Sequence, residues 1–148
     1  MRAIVATGCL LLALQLPVQA AVFQCTFTPP PTGSTTPQVC SVDSTKITPC
    51  RQDYSPTLLA LCQGGVHVPG TVSHLGCYFA TPGNAASLEN SASLDPEAFT
   101  KATANQPGTH AVAMQWLPTA ATPGNNMGLL YSDPDSKTTY IILCNVQP

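Results

Sequence analysis

The chain has 148 residues, 44 % of them hydrophobic and only 8 % charged, with five basic and seven acidic side chains. So sparse and slightly acidic a charge set speaks against nucleic acid or an anionic membrane surface as partner. Solubility rests instead on Thr, Ser, Asn, Gln and the backbone.

Residues 1–20 have the three parts of a secretory signal. Arg2 gives the positive start, an apolar run follows from Ile4 to Leu16, and Pro17 breaks it before Val18-Gln19-Ala20. The expected cut falls after Ala20. The run is shorter than the roughly 20 apolar residues a membrane span needs. Residues 21–148 then form a single secreted, disulfide-rich domain with four bases, seven acids and a net charge of −3. No mature membrane span is expected.

Along that domain, Ala21 to Thr28 alternates, with Phe23, Cys25 and Phe27 on one face, and reads as a half-buried strand. Residues 28–37 are rich in Pro and Thr and read as a stiff surface loop or an extended, O-glycosylated linker. A short strand is expected near Val39 to Val42. Ser55-Pro56 followed by Leu58, Leu61 and Cys62, with Gly64 and Gly65 as a stop, predicts a short helix. Strands are expected over 65–69 and 71–80, joined at Pro69-Gly70. In the second, Leu75, Cys77 and Phe79 share one face; His74 and Tyr78 lie on the other.

Residues 81–94 read as a loop. Asp95-Pro96-Glu97 opens the best helix signal, over 95–104. A strand over 109–117 carries His110, Val112, Met114 and Trp116 on one side. The segments 127–132 and 137–146 predict a hairpin around Asp133-Pro134-Asp135-Ser136. Tyr140 to Leu143 is apolar on both faces, which predicts a central strand. Four Pro-Gly pairs predict type II turns. The sum is an α+β fold: a small disulfide-stabilised domain, mainly antiparallel sheet, with one or two short helices.

Six cysteines remain beyond the leader: Cys25, Cys40, Cys50, Cys62, Cys77 and Cys144. An even set in an exported chain reads as three disulfides. The intervals hold 14, 9, 11, 14 and 66 residues and do not choose among the fifteen pairings. Cys144 must close a long loop, with Cys25 or Cys77 as its favoured partner. No Cys-x-x-Cys or Cys/His spacing points to metal or thiol redox chemistry, and no cofactor is expected.

Catalytic signals are thin. His67, His74 and His110 could supply a base or ligands, but each also reads as an isolated sheet or loop histidine. Asp95 and Glu97 have sufficient roles at a helix start, and Asp133 and Asp135 in a turn. Nucleophile-elbow and phosphate-loop motifs are absent. The weak ligand-binding candidates are His74, Tyr78, His110 and Trp116, where an aromatic pair could stack on a sugar or anchor an interface. Trp116 reads equally as the largest piece of the core. Leu75-Gly76-Cys77-Tyr78 is similar to the opening of some carbohydrate-binding cysteine-rich modules, but the later cysteines of those modules are missing, and no family is assigned.

The expected function is a secreted, non-enzymatic binding protein acting on an extracellular protein, glycan or surface. The alternatives are a carrier of a small apolar ligand, lined by His110, Val112, Met114 and Trp116, and a small hydrolase using one histidine.

Overall fold

The computed structural model describes residues 20–67, 72–84, 96–117 and 126–148. Residues 1–19 of the expected leader, the Pro69-Gly70 and Pro123-Gly124 turns, Asp95 and most of the 81–94 loop lie outside the described residues. The elements are β1 (Val22–Thr28), β2 (Gln38–Asp43), β3 (Cys50–Ser55), β4 (Leu58–His67), β5 (Val72–Ala80), a 3-10 turn at Pro82–Asn84, α1 (Pro96–Ala104), β6 (Thr109–Trp116), β7 (Asn126–Ser132) and β8 (Thr139–Val146).

The strands form two four-stranded antiparallel sheets, sheet A in the order β2-β1-β8-β7 and sheet B in the order β3-β4-β5-β6. Taken around the body, the order is simply sequential, with the hydrogen-bond ladder interrupted between β2 and β3 and between β6 and β7. This is a flattened up-and-down arrangement, and its interior is filled by side chains. Phe23, Phe27 and Ile142 of sheet A meet Leu75, Phe79 and Ala60 of sheet B, all fully buried. The alternation read in β1 therefore follows from burial: its apolar set turns inward and its Gln and Thr set outward.

The six cysteines share one layer of this core. Cys40, Cys25 and Cys144 are register partners across sheet A, followed by Met127. Cys50, Cys62 and Cys77 are register partners across sheet B, followed by Ala113. The bonds are Cys25–Cys144, Cys40–Cys50 and Cys62–Cys77. Two of them staple neighbouring strands within a sheet, and Cys40–Cys50 ties sheet A to sheet B at the open β2/β3 edge. Cys144 Sγ lies 3.8 Å from Cys62 Sγ and 3.7 Å from Cys77 Sγ, so the two inner bridges touch across the sandwich.

The helix expected after Ser55 does not form. Residues 50–55 and 58–67 make the β3–β4 hairpin, and Ser55-Pro56-Thr57 is its turn, with the Thr57 amide donating to Ser55 Oγ at 3.2 Å. The Ser-Pro pair that can cap a helix serves a turn equally well. The apolar run that follows is buried on both sides because β4 is central and has a layer on each face. Periodicity alone cannot separate such a strand from a short buried helix. Among the described residues there is one α-helix, α1, and the fold is mainly antiparallel sheet.

The turn predictions divide. Gly108 has φ of 81°, as the third position of a type II turn requires, whereas Pro82-Gly83 enters the 3-10 turn instead. The Pro/Thr-rich segment links β1 to β2 and contains a turn in which the Ser34 amide donates to Pro31 O at 2.9 Å. The β2–β3 connection is pulled inward. Ser44 is fully buried, its hydroxyl accepts from the Ala21 amide at 2.9 Å and meets Ser73 Oγ at 3.0 Å, and its carbonyl accepts from the Gly65 amide at 2.9 Å. Gly64 permits this approach: a Cβ there would collide with the Asp43 carbonyl and the Ser44 backbone.

Candidate functional site

Each sheet has an outer face, and the two differ. On sheet B the outer rows are Leu61–Tyr78–Val112, Gln63–Gly76–Met114 and Gly65–His74–Trp116. Helix α1 packs here, against β6, with the Phe99 ring seated over Gly76; a Cβ on Gly76 would sit 2.6 Å from Phe99 Cζ. His74, Tyr78 and Gln63 are fully buried in this layer. The His74 ring lies 6.1 Å from Trp116 in a stacked arrangement and 5.5 Å from Phe99.

Three of the four ligand-binding candidates, His74, Tyr78 and Trp116, are thus brought to one face beneath a helix. Val112, Met114 and Trp116 lie on this outer side of sheet B rather than in the space between the sheets. His110 is apart from them. A register shift near Phe79 and Ala80 turns it toward sheet A, where it stacks on Tyr131 at 4.8 Å.

That end of the molecule has a cleft of about 130 Å³ lined by Thr57, Leu58, His110, Tyr131, Asp133 and Asp135. His110 Nε2 is 3.3 Å from the Thr57 carbonyl. Asp133 is occupied as a turn cap: it accepts from the Asp135 amide at 3.0 Å and the Ser136 hydroxyl at 2.9 Å, and these bonds hold its carboxyl below the usual range. Partial burial, then the nearby Asp133 and Asp135 charges, push the Tyr131 phenol up. The Thr57 hydroxyl is engaged with Ser55 Oγ at 3.3 Å, so His110 faces a carbonyl and an aromatic ring rather than a poised nucleophile.

The outer face of sheet A carries a different chemistry. Its rows are Ser41–Gln24–Asn145–Asn126, Val39–Thr26–Leu143–Gly128, and Thr28–Ile141–Leu130, with Thr139 opposite Ser132 beyond. No position in these rows is ionisable. Leu130 is 59 % exposed, Val39 45 %, Leu143 42 % and Ile141 38 %. Four aliphatic side chains thus stand in water on one surface, with Val22 a fifth in the row that ends at Asp43, framed by hydroxyl and amide groups. The nearest charges stand at its ends: Asp43 with Lys46 at 3.8 Å, and the Asp133 to Lys137 turn. Contiguous exposed apolar surface of this kind marks an interaction site more often than isolated exposed residues do.

The reading of β8 as central holds in the ladder, since it lies between β1 and β7. Its second apolar face is exposed, however, and that face was missed. The signal was available: the outward residues of β1 are Val22 at its start and then Gln24, Thr26 and Thr28, so an apolar outward pair, Ile141 and Leu143, on its neighbour β8 stands out on a mostly polar surface.

The sulfur cluster is the remaining feature. The Sγ atoms of Cys25, Cys62, Cys77 and Cys144 lie within 4.8 Å of one another, a spacing four thiolates could use for a metal. Paired as two disulfides, they present no thiolate, and their role is structural. Compared with known proteins, the chain matches no family model, no curated protein and no solved structure. No helix among the described residues is long and apolar enough to cross a membrane.

Proposed function

We propose that this chain is a secreted, non-enzymatic binding protein that docks an extracellular protein on the outer face of sheet A. The observation that carries the reading is the uncharged surface on which Leu130, Ile141, Leu143 and Val39 stand exposed. Burying these side chains gains about 25 cal/mol for each Å² removed from water, and the absence of ions removes the desolvation cost a charged face would carry. The surface is presented by a rigid sheet stapled at Cys25–Cys144, so little conformational freedom is lost on docking. Three disulfides and the leader agree with an oxidising, extracellular setting.

A photo-crosslinking side chain placed at Leu143 tests this, with Arg51 on strand β3 as control. Added to the extracellular proteins among which the chain is released, the Leu143 probe is expected to yield one adduct of defined mass, lost in the Ile141→Asp background. Equal labelling from Arg51, or an adduct indifferent to Ile141→Asp, contradicts the proposal. So does turnover of an ester, glycan or peptide that a single substitution abolishes.

A further inference from the structure

We infer that the loop between β1 and β2 carries O-linked sugar, on Thr32, Thr35 and Thr36; the inference goes beyond the docking reading and shares with it only the export of the chain.

The loop is longer than its connection requires. Strands β1 and β2 are antiparallel neighbours whose register runs to Phe27 opposite Gln38. A loop of about two to five residues closes such a hairpin. Here nine residues, 29–37, do so. Pro29, Pro30, Pro31 and Pro37 have no amide to give a sheet, and they keep the segment out of the ladder. Its root is fixed: the Tyr54 hydroxyl donates to the Pro29 carbonyl at 2.8 Å, and the Ser34 amide to the Pro31 carbonyl at 2.9 Å. Beyond that root every residue from Thr32 to Thr36 is exposed, and none of them bonds to another element among the described residues. The surplus neither packs against the body nor completes its hydrogen bonding.

The hydroxyls of the segment divide. Ser34 Oγ donates to the Thr36 carbonyl and accepts from the Thr36 amide, both at 3.1 Å. Thr28 Oγ1 donates to the Ile141 carbonyl at 3.4 Å. The hydroxyls of Thr32, Thr35 and Thr36 bond to no described residue. In the β3–β4 and β7–β8 turns, by contrast, Ser55 is engaged with Thr57 and Ser136 with Asp133. Exposed, unengaged threonines between prolines are the composition that O-linked sugar transfer uses. An acceptor that first gives up a hydrogen bond loses about 0.5–1.5 kcal/mol, which sets Ser34 and Thr28 behind the other three.

The transfer is a single displacement. Threonine Oγ1 forms a bond to the anomeric carbon of a phosphate-activated hexose or N-acetylhexosamine. The bond from that carbon to the phosphate oxygen breaks, and the hydroxyl proton leaves with the phosphate. Residues 21–148 contain no Asn-x-Ser/Thr sequence, so hydroxyls are the acceptors this exported chain offers. The loop leaves sheet A beside the Thr28–Ile141–Leu130 row, on the β1 and β2 side. Sugar there hydrates one end of a face without charges, while Ile141 and Leu130 lie on the two strands beyond β1.

Intact mass of the chain from its natural source, followed by fragmentation that keeps sugars on the peptide, tests the inference. The expected result is a chain without its leader and with an excess of whole sugar units, located on Thr32, Thr35 and Thr36. Thr32→Val combined with Thr35→Val and Thr36→Val, produced in the same source, should lose the excess; Ser34→Ala should keep it. A processed chain with these three threonines bare overturns the inference and leaves the docking reading standing. Sugar on Ser34 or Thr28 in their place, or an excess that the triple variant retains in full, also overturns it. A chain that keeps its leader and carries no sugar overturns the inference through the export it shares with the docking reading, whereas loss of the Leu143 adduct alone touches only the docking.

Discussion

The two inner disulfides lie in the same layer and are fully buried, but they close loops of very different length. Cys25 and Cys144 are 119 residues apart; Cys62 and Cys77 are 15 apart. In the chain-entropy relation the longer link is worth about 4.7 kcal/mol, after allowing for the shortcut through the two enclosed bridges, and the shorter about 3 kcal/mol. Replacing either pair by alanine leaves a similar small void among the same neighbours, so the packing cost largely cancels between the two variants. Cys25→Ala with Cys144→Ala should therefore be less stable than Cys62→Ala with Cys77→Ala by about 1.5–2 kcal/mol. Guanidinium unfolding of both reads this difference, and the slope of the transition should rise more for the first pair, whose unfolded chain expands further. Equal losses, or a larger loss for Cys62/Cys77, would refute the reasoning and place the stabilisation in the sulfur packing rather than in loop closure.

Two glycines face obstacles of different stiffness. Gly76→Ala meets the tip of the Phe99 ring and should cost about 1–3 kcal/mol as α1 shifts outward; Gly64→Ala meets the Asp43 and Ser44 backbone and should cost more, and thermal unfolding of the two ranks them. Tyr54 donates to the Pro29 carbonyl at 2.8 Å and packs on Tyr140 at 4.8 Å; burial, then Tyr140, push its phenol up to about 12. Because the folded value lies above the unfolded one near 10, its contribution is fully present below pH 10 and is lost as pH rises toward 12. Phenolate absorbance of the folded chain should include a late step, and Tyr54→Phe should remove that step and flatten the alkaline loss of stability; an absorbance titration that Tyr54→Phe leaves unchanged above about pH 11 contradicts this placement.

Local pattern carried much of the fold. Phe23, Cys25 and Phe27 point inward as their alternation required, because β1 has water on one side and core on the other. Leu75, Cys77 and Phe79 face the same core, and the Asp133 to Ser136 turn closes the β7–β8 hairpin as its composition demanded. The β3–β4 hairpin was not legible, since Leu58 to Cys62 is buried on both sides and its periodicity is erased. The disulfide pairing needed the strand order, which only long-range contact decides. For the candidate site, Val112, Met114 and Trp116 share one face of β6 as their alternation required, but the register shift at Phe79 and Ala80 sends His110 elsewhere. The exposed Ile141 and Leu143 were visible as apolar residues; that nothing described covers them depends on the second sheet packing against the other side.

The cysteine layer is the claim on which the rest stands, and register leaves it a definite competitor. Cys25 is also opposite Cys40, and Cys50 opposite Cys62, so each sheet could be stapled differently. Proteolysis of the unreduced chain from its natural source followed by mass spectrometry of the linked peptides decides between them. The account predicts Cys25–Cys144, Cys40–Cys50 and Cys62–Cys77 and no free thiol. Peptides joining Cys25 to Cys40 or Cys50 to Cys62, or cysteines that react with alkylating reagent before reduction, would contradict it.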